Sequence, residues 1–211
     1  MSQSFRFRSK PEVKIPVGDP LAANRLARCL SEICHPESLV VEPVFICIGS
    51  DRSTGDSLGP LVGSALVENG MPRKLVRGTL ENPVHAVNLS EELDRLQGEE
   101  PKRFVVAVDA CLGYPQSVGA ISVGPGPLQP GSGVDKELPV VGELHIAGVV
   151  NVGGYLEHLV LQNTRLALVV KMASVIATGI FQWRNLPLPS FISAFPLFPR
   201  EPLPVSYLQQ G

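Results

Sequence analysis

Two aspartates stand where the chain could do chemistry. Asp56 lies in the loop GSDRSTGDSLGP (49–60), directly after the apolar run VFICIG, and Asp109 closes the apolar run FVVAV within KRFVVAVDACLG (102–113). In open α/β sheets, ligands collect outside the carboxyl ends of the strands, where loops converge on a crevice. If the two apolar runs form neighbouring strands, the two carboxylates meet at one edge of the sheet. Carboxylates held that close do not both ionise easily, so one keeps its proton and the pair divides acid and base roles around a water molecule. That chemistry suits hydrolysis of an amide. The same residues have a structural reading, with Asp56 capping the helix that begins SLGPLVGSALV and Asp109 serving a turn. Asp51, in the same loop, is a secondary candidate that can instead cap or pair with Arg52.

The histidines extend the candidate site. His145, in HIAG, lies in an apolar run, where a hydrogen-bonded core imidazole is its ordinary reading. Two carboxylates and one imidazole (Asp56, Asp109 and His145) would make a donor set for zinc, nickel or another divalent ion if a metal site exists. The preferred aspartate reading requires no cofactor. His85, in NPVHAVNL, sits on a loop entering a helix and can reach the same crevice, although a structural role is its first reading. His158 is expected on a helix face and His35 at a helix end. No Ser or Cys has a convincing base beside it, and Cys111 is read as a small buried residue.

Elements must hold these groups in place. PVFICIG (43–49) and FVVAV (104–108) are nearly uninterrupted apolar runs, as in strands covered on both faces. LVRGTL (75–80), GAISVG (119–124) and the run beginning HIAGVV supply further strands. DPLAANRLARCLSEIC (19–34), SLGPLVGSALVENG closed by Gly70, NLSEELDRLQG (88–98), YLEHLVLQ and TRLALVVKMASVIATGIFQW read as helices. PGPLQPGSGVDKELPVVGE (125–143) is a long Gly- and Pro-rich loop. Strands alternating with amphipathic helices predict an α/β fold with a largely parallel sheet between helical layers. The reading is one domain over 1–211, with a flexible N-terminal segment 1–17 and a Pro-rich tail 186–211 that packs irregularly or on a neighbouring subunit.

Bulk properties narrow the function. The 211 residues are 44% apolar, enough for one sizeable core. Eighteen Lys and Arg against twenty Asp and Glu give a net charge of -2, so no basic field exists to hold nucleic acid or anionic lipid. GPGPLQPGSG lacks the Lys-Ser/Thr ending of a phosphate-binding loop, and the acidic loop does not match a dinucleotide fingerprint. The start of the chain lacks the apolar segment of a secretory signal. Four scattered cysteines without a CxxC pair are expected to be reduced thiols in a cytoplasmic protein. The stretch 166–183 is long and apolar, but Lys171 within it and Arg165 and Arg184 beside it argue for a core or interface helix rather than a membrane span. Together with the tail, it points to a homo-oligomer.

TGDSLGP (54–60) resembles the acidic segment of the germination protease of spore-forming bacteria, and VVAVDA (105–110) resembles that family's second acidic strand end. Both are similar, more loosely, to segments of the hydrogenase maturation endopeptidases, which hold a divalent metal with two acids and a His in an H-x-x-G setting. His145 with Gly148 matches that setting, so this resemblance implies His145 as a third site residue, metal ligand or hydrogen-bond donor. GTLENPVHAVNL (78–89), PGSGVDKELPVVGELHIAGVVNVGG (130–154) and LQNTRLALVVKMASVIATGI (161–180) resemble the YyaC-type sporulation proteins, over about Pro43 to Trp183. These resemblances imply a three-layer α/β/α, phosphorylase/hydrolase-like fold. They also imply a sporulation-associated endopeptidase in the cytoplasm or developing spore, using Asp56 and Asp109 on a peptide or protein substrate such as a spore protein. Gly55 and Ser57 flank Asp56 where the hydrogenase peptidases carry a further acid and a Gly. Two rivals stay open: a noncatalytic interaction protein on the same fold, and a metal-dependent maturation peptidase.

Overall fold

The computed structural model describes residues 12–34, 42–99, 103–131 and 138–186. Along these the chain forms β1 (Val13–Pro16), α1 (Ala22–Ile33), β2 (Val44–Cys47), α2 (Leu58–Glu68), β3 (Val76–Arg77), α3 (Leu89–Gln97), β4 (Val105–Gly113), β5 (Ala120–Pro125), β6 (Leu144–Val152), α4 (Glu157–Gln162) and α5 (Leu166–Arg184). The six strands make one sheet in the order β1-β5-β6-β4-β2-β3. Strands β6, β4, β2 and β3 pair in parallel, and β5 and β1 add an antiparallel edge.

The apolar runs became the centre of this sheet because both their faces are covered. All four residues of β2 and the first five of β4 are buried. The connections β2–α2–β3 and β3–α3–β4 cross the sheet in opposite directions, so right-handed crossovers put α2 and α3 on opposite faces. The ion pairs fit this placement: Arg77, level with Ile46 on β3, reaches Glu92 of α3 at 2.8 Å and Glu99 just beyond it at 2.9 Å. Helices α1, α2 and α5 pack together on the other face, giving the expected three-layer α/β arrangement.

Three expectations change in detail. The segment 1–17 is not flexible throughout, because Val13–Pro16 is an edge strand in register with Ala120–Val123. Its burial pattern, with Ile15 alone fully buried, is too short a signal to read as a strand. LVRGTL contributes only Val76 and Arg77, since Gly78 turns out of the sheet at φ +90°. Strand β4 does not end at Asp109 but runs on to Gly113, carried by continued pairing with β6 across a register shift between Cys111 and Leu112. His35 and the tail beyond Leu186 lie outside the described residues.

Helix α5 is long and apolar enough to cross a membrane by length and composition alone. Eight of its residues are buried within the protein, among them Met172, Ile176, Ile180 and Trp183. Trp183 is fully buried, donates its indole N–H to the Cys34 carbonyl at 2.9 Å, and meets Phe45 edge to face with ring centroids 6.4 Å apart. Trp183→Ala is expected to cost about 3–5 kcal/mol, read as a lower urea midpoint.

Candidate active site

The loop after β2 is shaped by close backbone approaches. Gly49 has φ +144°, and a Cβ there would lie 1.9 Å from the Asp56 carbonyl oxygen, so only glycine lets the loop fold back on itself. The Ser50 N–H then donates to that carbonyl at 3.1 Å, and the Gly55 N–H donates to the Leu161 carbonyl at 2.8 Å. Asp56 is thereby pinned between the end of β2 and the start of α2. Gly49→Ala is expected to cost on the order of 2–4 kcal/mol and to move Asp56, seen as a lower unfolding midpoint.

Asp56 is not a helix cap. The residue at the N-terminus of α2 is Ser57, in helical conformation, and no side chain caps that end. The Ser57 hydroxyl donates backward to the Thr54 carbonyl at 2.7 Å. The half-buried Asp56 carboxylate is left facing the crevice.

Asp109 reaches the same place from the neighbouring strand. Cys47, the last residue of β2, pairs with Val108, so Asp109 stands level with the first residue beyond β2. Strand alternation turns its side chain to the sheet face shared with Ala107, His145 and Ala147. The side chain is 7% exposed, and one oxygen accepts the Ala110 N–H at 2.7 Å. Burial raises its proton affinity well above the ordinary carboxylate value of 3.8; the nearby Asp56 charge raises it further, and the Ala110 hydrogen bond opposes both. Asp56 is also raised by burial, but the Ser50 N–H and the His85 charge pull it back. Asp56 is thus near enough to add to the raised proton affinity of Asp109.

His85 is more central than its sequence suggests. Val84 bridges to Ile48 in parallel, and its carbonyl accepts the Gly49 N–H at 2.8 Å, which ties the His85 segment to the acidic loop. Asn88 clamps the turn, accepting the His85 N–H at 2.8 Å and donating to the Pro83 carbonyl at 3.0 Å. His85 Nδ1 accepts the Val87 N–H at 3.3 Å, so in the neutral ring the proton sits on Nε2. Only spatial pairing through Ile48 brings this residue over Asp56, and no local motif announces it.

The carboxylates, His85, His145 and Asp51 all line one cleft of about 610 Å³. His145 forms part of its wall: Nδ1 lies 3.0 Å from the Gly126 carbonyl and so carries the proton, and the opposite ring edge packs on Gly124. The conditional metal set is not assembled. Among the described residues no three His, Cys, Asp or Glu side chains converge closely enough to hold an ion. The donors among the described residues thus do not fit a three-ligand centre. Asp51 is exposed at the cleft mouth, and among the described residues no ion pair joins it to Arg52.

Four further residues line the cleft: Glu12 and Glu157, which sequence reasoning does not reach, and Cys111 and His158, read there only as a small buried residue and a helix-face residue. Glu12 takes the Ser122 hydroxyl through the β1–β5 pairing, a contact between residues 110 apart in sequence. The Cys111 thiol is pushed up to about 11 by burial, then by Asp109 and Glu12, with Lys14 opposing. It is a protonated neighbour of the carboxylates, not a thiolate nucleophile.

Fold and site together define a three-layer α/β protein with a cleft lined by a buried Asp109 on β4 and a half-buried Asp56 in the loop after the adjacent parallel strand β2. The chain belongs to the family described as "Protein of unknown function (DUF1256)", whose model matches residues 14–179. It is 56% identical over 186 residues to "Uncharacterized protein YyaC" of Bacillus subtilis (strain 168), covering 85% of this chain and 90% of that protein. No solved structure matches it.

Proposed function

We propose that this protein is an endopeptidase-like hydrolase, linked to sporulation and of phosphorylase/hydrolase-like fold, in which Asp56 and Asp109 act on a water molecule and a peptide carbonyl. The observation that carries the reading is that two carboxylates from neighbouring strands line one cleft, the deeper Asp109 with its proton affinity raised by burial and further by the nearby Asp56. Asp56 takes a proton from water as the water oxygen bonds to the carbonyl carbon, and Asp109 gives its proton to the carbonyl oxygen. The tetrahedral diol then collapses: Asp109 recovers a proton from one hydroxyl, the C–N bond breaks, and the proton on Asp56 goes to the departing amine. His85 is a positioning residue beside Asp56, its segment held by Asn88 and the Val87 N–H. The sporulation link and the spore-protein substrate rest on the resemblance to the germination protease and to the YyaC-type proteins.

Cleavage of an undirected peptide library, followed by mass spectrometry, tests this. Wild type is expected to generate new termini that Asp56→Asn and Asp109→Asn do not. Equal cleavage by all three proteins would remove both aspartates from the mechanism.

A further inference from the structure

Helix α4 is only six residues long and has no buried residue. A helix of that length does not stand alone in water; it needs packing on an apolar face. Its inner side is held by the protein: the Asn151 amide donates to the Val160 carbonyl at 3.3 Å and to the Thr164 hydroxyl at 3.2 Å, and the Leu161 carbonyl takes the Gly55 N–H. Its outer side is bare. There a second concavity of about 550 Å³ is lined by Val152, Tyr155, Leu156, Leu159 and Val160, together with Asn151 and Asn163. No charged side chain lines it.

The exposures are large for apolar groups: 90% for Tyr155, 55% for Leu156, 41% for Leu159 and 38% for Val152. Tyr114, 75% exposed, adjoins them because the Gly153 N–H donates to the Gly113 carbonyl at 2.8 Å. Leu156 is held at φ 53°, the one non-glycine with positive φ among the described residues. That conformation costs roughly 1–2 kcal/mol for a leucine and is kept only where its surroundings require it.

We propose that this face is an isologous homodimer interface, occupied by a second copy of this chain. An apolar face without charges meets its own copy with no like-charge repulsion, whereas a charged partner would find nothing to pair with. Aromatic enrichment and charge depletion are also the mark of interface cores. The area fits: five such side chains expose on the order of 500–600 Å², and with adjoining backbone approach the ~800 Å² per partner of a standard interface. The proposal is independent of the aspartate chemistry. Its structural consequence is that the partner copy would cover the outer side of α4, whose inner side carries Glu157, Leu161 and Gln162 into the carboxylate cleft.

The test is sedimentation with light scattering on the full chain at micromolar concentrations. The chain mass is 22.6 kDa, so wild type is expected at twice that value, and Tyr155→Glu and Leu159→Glu at the single-chain mass. Both substitutions are on exposed side chains, and unchanged circular dichroism checks that the variants fold. Hydrogen exchange of the α4 amides gives a second measurement, with protection expected to rise with protein concentration in wild type only. A monomeric wild type at 50 μM would overturn the proposal, as would variants that keep the doubled mass or α4 protection that ignores concentration.

Discussion

Asp109→Asn is expected to lower kcat/KM for peptide cleavage by about three orders of magnitude, because an amide can accept the Ala110 N–H but cannot deliver a proton to the carbonyl oxygen. The same substitution is expected to stabilise the fold, in a pH-dependent way. Burial and the Asp56 charge raise the proton affinity of Asp109 in the folded state, while the unfolded chain stays near 3.8. The folded protein therefore binds this proton more tightly than the unfolded chain. The associated stability is full below about pH 3.8 and is lost as pH rises through the folded value. Asparagine removes the penalty of ionising a buried carboxyl, so the gain in Tm over wild type should be small at pH 4 and larger at pH 8, by about 2–4 °C for each kcal/mol recovered. Thermal unfolding at the two pH values checks this, and a gain that is the same at both contradicts the assignment.

The second large effect concerns Asp56 and His85. Activity on the proposed mechanism requires Asp56 ionised and Asp109 protonated, so kcat/KM should follow a bell in pH. Its acid limb reports Asp56 and its alkaline limb Asp109, as macroscopic values of a coupled pair. Both limbs lie above 3.8, since both groups are raised. Asp56→Asn should lose about as much activity as Asp109→Asn. His85→Asn should retain activity but move the acid limb to higher pH, because the electrostatic influence by which His85 lowers the proton affinity of Asp56 is gone. A His85→Asn profile that loses height without moving would make His85 a purely structural clamp.

The central sheet is legible in the chain because VFIC and VVAV must be buried on both faces, and an unbroken apolar run has few other solutions. The carboxylates are legible for the same reason, since each follows directly on such a run. What local patterning cannot supply is long-range register. Strand β1 is recognisable only once Ile15 meets Ile121, and Glu12 enters the cleft through that pairing. His85 gains its place through the Ile48–Val84 bridge, whereas His145, singled out by its H-x-x-G spacing, turns its Nδ1 to the Gly126 carbonyl. Whether Asp56 capped α2 turned on one backbone detail, the helical conformation of Ser57, which residue types do not encode.

The division of protons between Asp56 and Asp109 can be measured without knowing the substrate, by titrating the side-chain carboxyl carbons of 13C-labelled protein with NMR. Asp109 is expected to titrate well above 3.8 and above Asp56, and its midpoint should fall in Asp56→Asn, where the neighbouring charge is removed. An Asp109 that titrates at the ordinary carboxylate value, or whose midpoint ignores the loss of Asp56, would contradict the paired-carboxylate account.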